Sequence, residues 1–261
     1  MKNINDFNPK QQPKIQYLLT DIDDTLTTDG KLPSVAYDSL WKLHNAGIKV
    51  IPITGRPAGW CEMIARFWPV TAVVGENGGF YFKYHNKKMQ RWFFTDEKMI
   101  LENKNKLKII ETEILKSVPG CATSSDQFSR LMDLAIDFCE DVNPLPKLDV
   151  KKIVNIFESY GAIAKVSSIH VNGWFGDYNK LTTTLKFLKN EFGLSETDAL
   201  NQCAFVGDSP NDEPMFEKFP LSFGVANIQN FSDQLKFKPT FVANEHGGEG
   251  FSQIVRKILG P

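Results

Sequence analysis

A series of short apolar runs, each stopping at a polar or glycine-containing loop, constrains this chain most. The runs are 15–19, IKVIPI at 48–53, TAVV at 71–74, CAFVG at 203–207, LSFGV at 221–225 and TFVA at 240–243. Runs this short and this apolar suit strands buried on both faces of a sheet, rather than helices or membrane spans. Helical stretches separate several of them. One is predicted over 34–46, with Ser34 as N-cap and Gly47 as the stop. Pro57 opens another that runs through residue 67, a third covers 180–192, and a fourth closes the chain over 249–258. Strand alternating with helix predicts an α/β fold: a three-layer core with a mainly parallel sheet covered on both faces.

The middle of the chain reads differently. Residues 80–84 and 91–94 form a predicted hairpin around the polar HNKKMQ, and a lysine-rich helix follows over 97–115. MDLAIDF at 132–138 alternates strictly, which predicts a strand with one wet face. A helix over 150–160 ends at Gly161, and residues 162–171 return to strand character. The expected organisation is a core of residues 1–82 and 176–261 carrying an inserted α+β unit at 83–175. Residues 1–14 read as a polar, poorly ordered lead-in.

Thirty basic and 31 acidic residues leave a formal net charge of -1, which argues against a broadly basic nucleic-acid binder. No early segment resembles a secretory signal or a bilayer span, so a cytoplasmic location without a membrane partner is expected. Cys61, Cys121, Cys139 and Cys203 are scattered without a CxxC pair and read as reduced thiols.

The chemistry is concentrated where the strands end. YLLTDIDDTL crowds Asp21, Asp23 and Asp24 onto the end of the first core strand. Carboxylates so placed repel one another unless a cation compensates, and hard oxygen ligands suit Mg2+. GDSPND at 207–212 repeats the arrangement: Asp208 follows an apolar strand, with Asn211 and Asp212 close behind. Asp21, Asp23, Asp208 and Asp212 are therefore the candidate metal ligands. Thr54, Gly55 and Arg56 end the second strand, where a hydroxyl and backbone N–H groups can hold a phosphoryl oxygen. Lys180, at a helix start, is a neutraliser for phosphate or for a nucleophilic carboxylate. The set specifies phosphoryl transfer, with Asp21 as nucleophile, Asp23 as acid and base, and Thr54 and Lys180 meeting the equatorial charge.

These words resemble the haloacid dehalogenase superfamily of phosphatases, in its Cof-type or sucrose-phosphate-phosphatase-like branch, subfamily IIB. Asp21-Ile22-Asp23-Asp24-Thr25 is similar to its DxDxT signature, ITGR to its second, and residues 207–212 to its GDxxND. ENGG at 76–79, GVAN at 224–227 and GGEGF at 247–251 resemble further loops of the branch. The resemblance implies a Rossmann-like core, Mg2+ as cofactor, a small phosphomonoester as substrate and a cap that selects the leaving group. It assigns the nucleophile to Asp21, acid–base work to Asp23, phosphate binding to Thr54, the lysine to Lys180 and metal binding to Asp208. Two departures stand out: Leu181 replaces the glycine of the usual Lys-Gly pair, and Asp24 occupies a position where many relatives carry glycine.

In the cap, Gln127 is a candidate for sugar hydroxyls and Arg130 for a second anionic group. Trp174 suits either stacking on a sugar face or burial. A sugar phosphate is the expected substrate. A phosphomutase, or a phosphate- and metal-binding regulatory protein without turnover, would use many of the same residues.

Overall fold

The computed structural model describes residues 1–167 and 169–260. In chain order, β1 is Lys2–Asn3, β2 Tyr17–Thr20, α1 Ser34–Asn45, β3 Lys49–Pro52, α2 Ala58–Phe67 and β4 Val73–Gly75. The hairpin β5 Phe80–His85 and β6 Lys88–Phe93 leads into α3 Glu97–Ser117. Then come β7 Ala122–Thr123, β8 Asp133–Asp137, α4 Lys147–Ser159, β9 Ile163–Val166 and β10 His170–Trp174. The chain finishes with α5 Lys180–Phe192, α6 Glu196–Gln202, β11 Cys203–Gly207, α7 Glu213–Lys218, β12 Ser222–Gly224, β13 Phe241–Val242 and α8 Gly247–Leu259.

The core is a six-stranded sheet in the order β1-β13-β12-β11-β2-β3, parallel at every pairing. Strand side chains alternate between its two faces, so each short apolar run feeds two cores. Leu18, Val50, Ala204, Val206 and Phe223 pack with Leu40 of α1, Ile64 of α2 and Phe251 of α8. Leu19, Ile51, Phe205 and Val242 pack on the opposite side with Phe187 of α5, Ala199 of α6 and Met215 of α7. Both faces are covered, which is why these strands are apolar without alternation. A parallel bridge from Ile53 to Val74 carries the pairing on to β4, where the β5–β6 hairpin adds antiparallel strands.

A second sheet, β7-β8-β10-β9, is antiparallel throughout. Leu134, Ile136 and Val171 pack on one of its faces with Ile110 of α3 and Phe157 of α4. The other face carries Asp133 and Asp137, 3% and 1% exposed, and the buried His170 and Asn172. The alternation in MDLAIDF is real, but the polar face expected to be wet is covered. It lies toward the core, where Arg130 and Asn172 bond to Asp133.

Other expectations need correction. Residues 1–14 are not a loose lead-in: β1 pairs with β13, and Ile4 and Phe7 are buried. The Phe7 ring meets Phe223 and Phe241 edge-on, with centroids 5.1 and 5.3 Å away. Two apolar residues spaced three apart are easily hidden in polar composition, yet they seat the whole segment. Ser34 is the first residue of α1, and Pro33 holds the cap position. The run over 162–171 is two strands, β9 and the start of β10, joined in a hairpin. Helix α6 follows a capping box between Ser195 and Asp198 that the sequence reading passed over. Among the described residues, no helix is long and apolar enough to cross a membrane.

Replacing Phe7 by Ala should lower unfolding free energy by about 3 kcal/mol, the range for deleting a buried aromatic ring. A urea midpoint unchanged from the wild type would show that the N-terminal segment is not part of the core.

Candidate active site

In the core sheet Thr20 lies opposite Val206, so Asp21 and Asp208 leave neighbouring strands at the same edge. The Asp21 N–H, still in the ladder, donates to Val206 O at 2.9 Å. Asp212 returns to this point from the turn Pro210–Asp212. Asp21, Asp208 and Asp212 are all buried, and each places a carboxylate oxygen within 4.8 Å of the others. This cluster is geometrically suited to a divalent cation, and its all-carboxylate donor set is the hard-oxygen chemistry such an ion requires.

Lys180, the first residue of α5, inserts between two of these groups. Its Nζ donates to Asp21 Oδ1 at 2.6 Å and to Asp212 Oδ1 at 3.0 Å. A capping box between Asn179 and Thr182 fixes where the helix begins, and so where the ammonium points. Asp212 Oδ2 accepts the Asp208 N–H at 3.1 Å, while Thr25 and Asn227 donate to Asp208. Even so, one lysine does not balance three carboxylates. Burial pushes Asp21 up to about 8 against the pull of Lys180, with Asp212 and Asp23 adding to the rise. Burial and the neighbouring Asp212 and Asp21 raise Asp208 as well. Lys180 is driven the other way from its desolvation: its two carboxylates hold it protonated.

Thr54 is fully buried beyond β3, and its hydroxyl accepts the Arg56 N–H at 3.0 Å. The Arg56 side chain turns to Asp23: Nε lies 3.0 and 3.1 Å from its two carboxylate oxygens. Asp23 is therefore held by a guanidinium beside the cluster that Asp21, Asp208 and Asp212 form. Arg56 also bonds to Glu140 at 3.1 Å, and His170 Nε2 lies 2.9 Å from the other Glu140 oxygen. Contact with His170 and with Arg56 outweighs partial burial and brings Glu140 down to about 2. Asp21, Asp23, Gly55, Arg56 and Asn211 line one side of a small cavity, of about 30 Å³, while Arg130, His170 and Asn172 line the other.

Gln127 is not brought to this cavity: its amide donates to Asp133 O and accepts the Ala135 N–H. Arg130 reaches the wall, but Asp126, Asp133 and Gly55 O already engage its guanidinium. Trp174 is 1% exposed, stacks on Tyr178 and donates to its carbonyl, so burial is its role.

The family model for haloacid dehalogenase-like hydrolases matches residues 18–108 and 81–254. The chain belongs to this family. Solved structures agree in fold. Protein 0175 of Thermoplasma acidophilum superposes with a TM-score of 0.73 at 21% identity, over 94% of this chain and 99% of that one. A HAD/COF-like hydrolase of Plasmodium vivax gives 0.69 at 18%, over 96% and 98%. The sucrose-phosphatase of Synechocystis sp., in complex with sucrose and phosphate, gives 0.64 at 15%, over 94% and 98%. No curated protein sequence matches the chain.

As a member of this hydrolase family, the chain departs from the usual pattern at Asp24 for a visible reason. Its φ is 57°, in the left-handed region where glycine is unstrained and Asp is among the better-tolerated alternatives. Two groups at the site escaped the sequence reading. Glu76 is fully buried, and its carboxylate accepts backbone N–H groups from Ala58, Leu131, Met132 and Asp133. It thereby ties the start of α2 to the second sheet, and burial beside Asp133 raises it to about 8. Glu140 gave no signal at all, because its partners lie far away in the sequence. The Asp137 carboxylate positions it by accepting N–H groups from residues 139–141.

Asp24→Gly and Asp24→Ala lose the same side-chain carboxylate, so Asp24→Ala should be the less stable of the two by about 1 kcal/mol from backbone strain. Denaturant titration of the pair checks this. Glu140 supplies a pH test. Its folded value lies below the ordinary 4.5, so its stabilisation is complete above that pH and is lost as pH falls toward 2. Glu140→Gln should melt earlier than the wild type near neutrality, by about 1 kcal/mol after solvent screening. The gap in thermal midpoint should close in acid.

Proposed function

We propose that this protein is a Mg2+-dependent phosphatase acting on a small phosphomonoester, a sugar phosphate in particular, through an aspartyl phosphate on Asp21. The observation that carries the reading is the convergence of Asp21, Asp208 and Asp212 on Lys180, with Asp23 fixed alongside by Arg56. Pure phosphate binding needs donors and cations; it has little use for a buried carboxylate nucleophile with a second carboxylate two residues on.

Asp21, Asp208 and Asp212 would hold the ion, which when bound offsets negative charge shared by the carboxylates and a phosphoryl oxygen. Asp21 attacks phosphorus, forming the acyl-phosphate bond as the bond to the ester oxygen breaks. That oxygen keeps the electron pair and takes a proton from Asp23. Asp23 then accepts a proton from water as the water attacks phosphorus, releasing inorganic phosphate and restoring the Asp21 carboxylate. Thr54, Gly55, Lys180 and Asn211 meet the oxygens that do not change partners. Arg56 acts on Asp23, holding the carboxylate in one orientation through two hydrogen bonds.

The unit at 83–175 would act as a cap. About 30 Å³ accommodates only a water or two, so the arrangement corresponds to a closed state that opens to admit substrate. Arg56 to Glu140 and Arg130 to Gly55 O are the bonds that opening would break. The polar His170 and Asn172 on the covered face suit a hydroxylated leaving group. The similar fold of the Synechocystis sucrose-phosphatase favours the same substrate class.

Asp21→Asn should reduce turnover on the order of 10⁴-fold or more while leaving the fold intact. Removing metal with EDTA should abolish activity, and Mg2+ should restore it. A panel of phosphomonoesters should give the highest kcat/KM with sugar phosphates. Full activity in Asp21→Asn would remove the mechanism, and preference for a non-sugar ester would remove the substrate class. Transfer to a second sugar in place of phosphate release would make the protein a mutase.

A further inference from the structure

The ENGG turn holds a group that the mechanism above does not use. Asn77 is 8% exposed, yet its side-chain Nδ2 has no hydrogen-bond partner. His170 Nε2, on the same cavity, differs in having the Glu140 carboxylate 2.9 Å away. Both residues line the same cavity as Asp21 and Asp23. Leaving a buried donor unpaired costs about 1–3 kcal/mol, so an unpaired amide on the wall of this small cavity marks a place prepared for a ligand.

Asn77 also lines a neighbouring cavity with Lys180, and Asn211 borders both. It therefore stands between the lysine and the Thr54–Arg56 loop. Its amide covers Gly55 closely: a Cβ there would lie 3.2 Å from Oδ1 and 3.3 Å from Nδ2. The backbone is equally constrained. Glu76, Asn77 and Gly78 have φ of 43°, 57° and 105°, three consecutive left-handed residues. Such a turn persists only when its surroundings fix it. Asn77 N–H donates to Thr54 O at 3.0 Å, Thr183 donates to Gly78 O at 2.6 Å, and the Glu76 carboxylate is anchored by its backbone donors. Asparagine tolerates the left-handed region and brings a neutral donor. Aspartate would tolerate it too, but would add another carboxylate beside Asp21 and Asp23.

We propose that Asn77 binds the phosphoryl group directly, its side-chain amide donating to a non-bridging oxygen between those met by Lys180 and by the Thr54–Gly55 loop. The assignment rests on the phosphatase reading and extends its binding set to the ENGG turn.

The test uses inorganic phosphate as probe on the Mg2+-loaded full chain, with binding measured by calorimetry and by product inhibition. Asn77→Gly keeps the left-handed backbone unstrained and removes the amide. Asn77→Asp keeps the shape and removes the donor, whichever way the amide is turned. Asn77→Gly should weaken phosphate about 10- to 100-fold and raise KM in parallel, as expected for one hydrogen bond to a charged group. Asn77→Asp should weaken it further. Wild-type phosphate affinity in both variants would overturn the assignment and leave the phosphatase reading standing. So would a fall in thermal midpoint with affinity unchanged, the mark of a purely structural residue. A wild-type chain that neither bound phosphate nor hydrolysed any phosphomonoester would overturn both.

Discussion

Everything at the strand ends depends on one balance: buried carboxylates against the ammonium of Lys180. Asp21, Asp208 and Asp212 could not be sequestered together without a cation among them, and α5 begins where it must to provide one. The parallel register makes the crowding unavoidable, because neighbouring strands that end together release their next residues at one point. Lys180 matches only part of the charge. Burial first, and the neighbouring carboxylates after it, raise Asp21 and Asp208, and a divalent ion would relieve both.

Arg56 performs a parallel task at the border with the second sheet. It holds Asp23 with one edge of its guanidinium and Glu140 with another. A carboxylate beside the acidic cluster and a carboxylate from the loop after β8 therefore share one cation. Glu76 makes a comparable connection below, its buried carboxyl group accepting backbone N–H groups from both sides. The second sheet and the acidic strand ends are thus joined through the same polar contacts.

Much of this was legible in the sequence. CAFVG at 203–207 becomes β11 without a shift, and residues 180–192 become α5. Local apolarity and glycine placement suffice for such elements. Asp21 and Asp208 were readable as a pair because the ends of neighbouring parallel strands converge, and Asp212 and Lys180 joined them through the motifs that resemble the family's. Glu140 was not, since its value comes from His170 across a strand register and from Arg56 on another unit. Gln127 misled for the opposite reason. An amide in a polar stretch reads as a recognition group, but here it closes backbone bonds between residues 133 and 135. The polar face of β8 looked solvated because alternation reports two environments without saying which solvent covers the second.

The pairing of β1 with β13 has a kinetic side. Lys2 and Asn3 find their partners at Phe241 and Val242, so the sheet edge nearest the amino terminus must wait for almost the whole polypeptide. The antiparallel unit in the middle pairs strands far closer in sequence, and its delay is shorter. Contacts of long sequence separation form slowly. Assembly of this molecule should therefore begin at the centre of the chain and finish where its two ends meet.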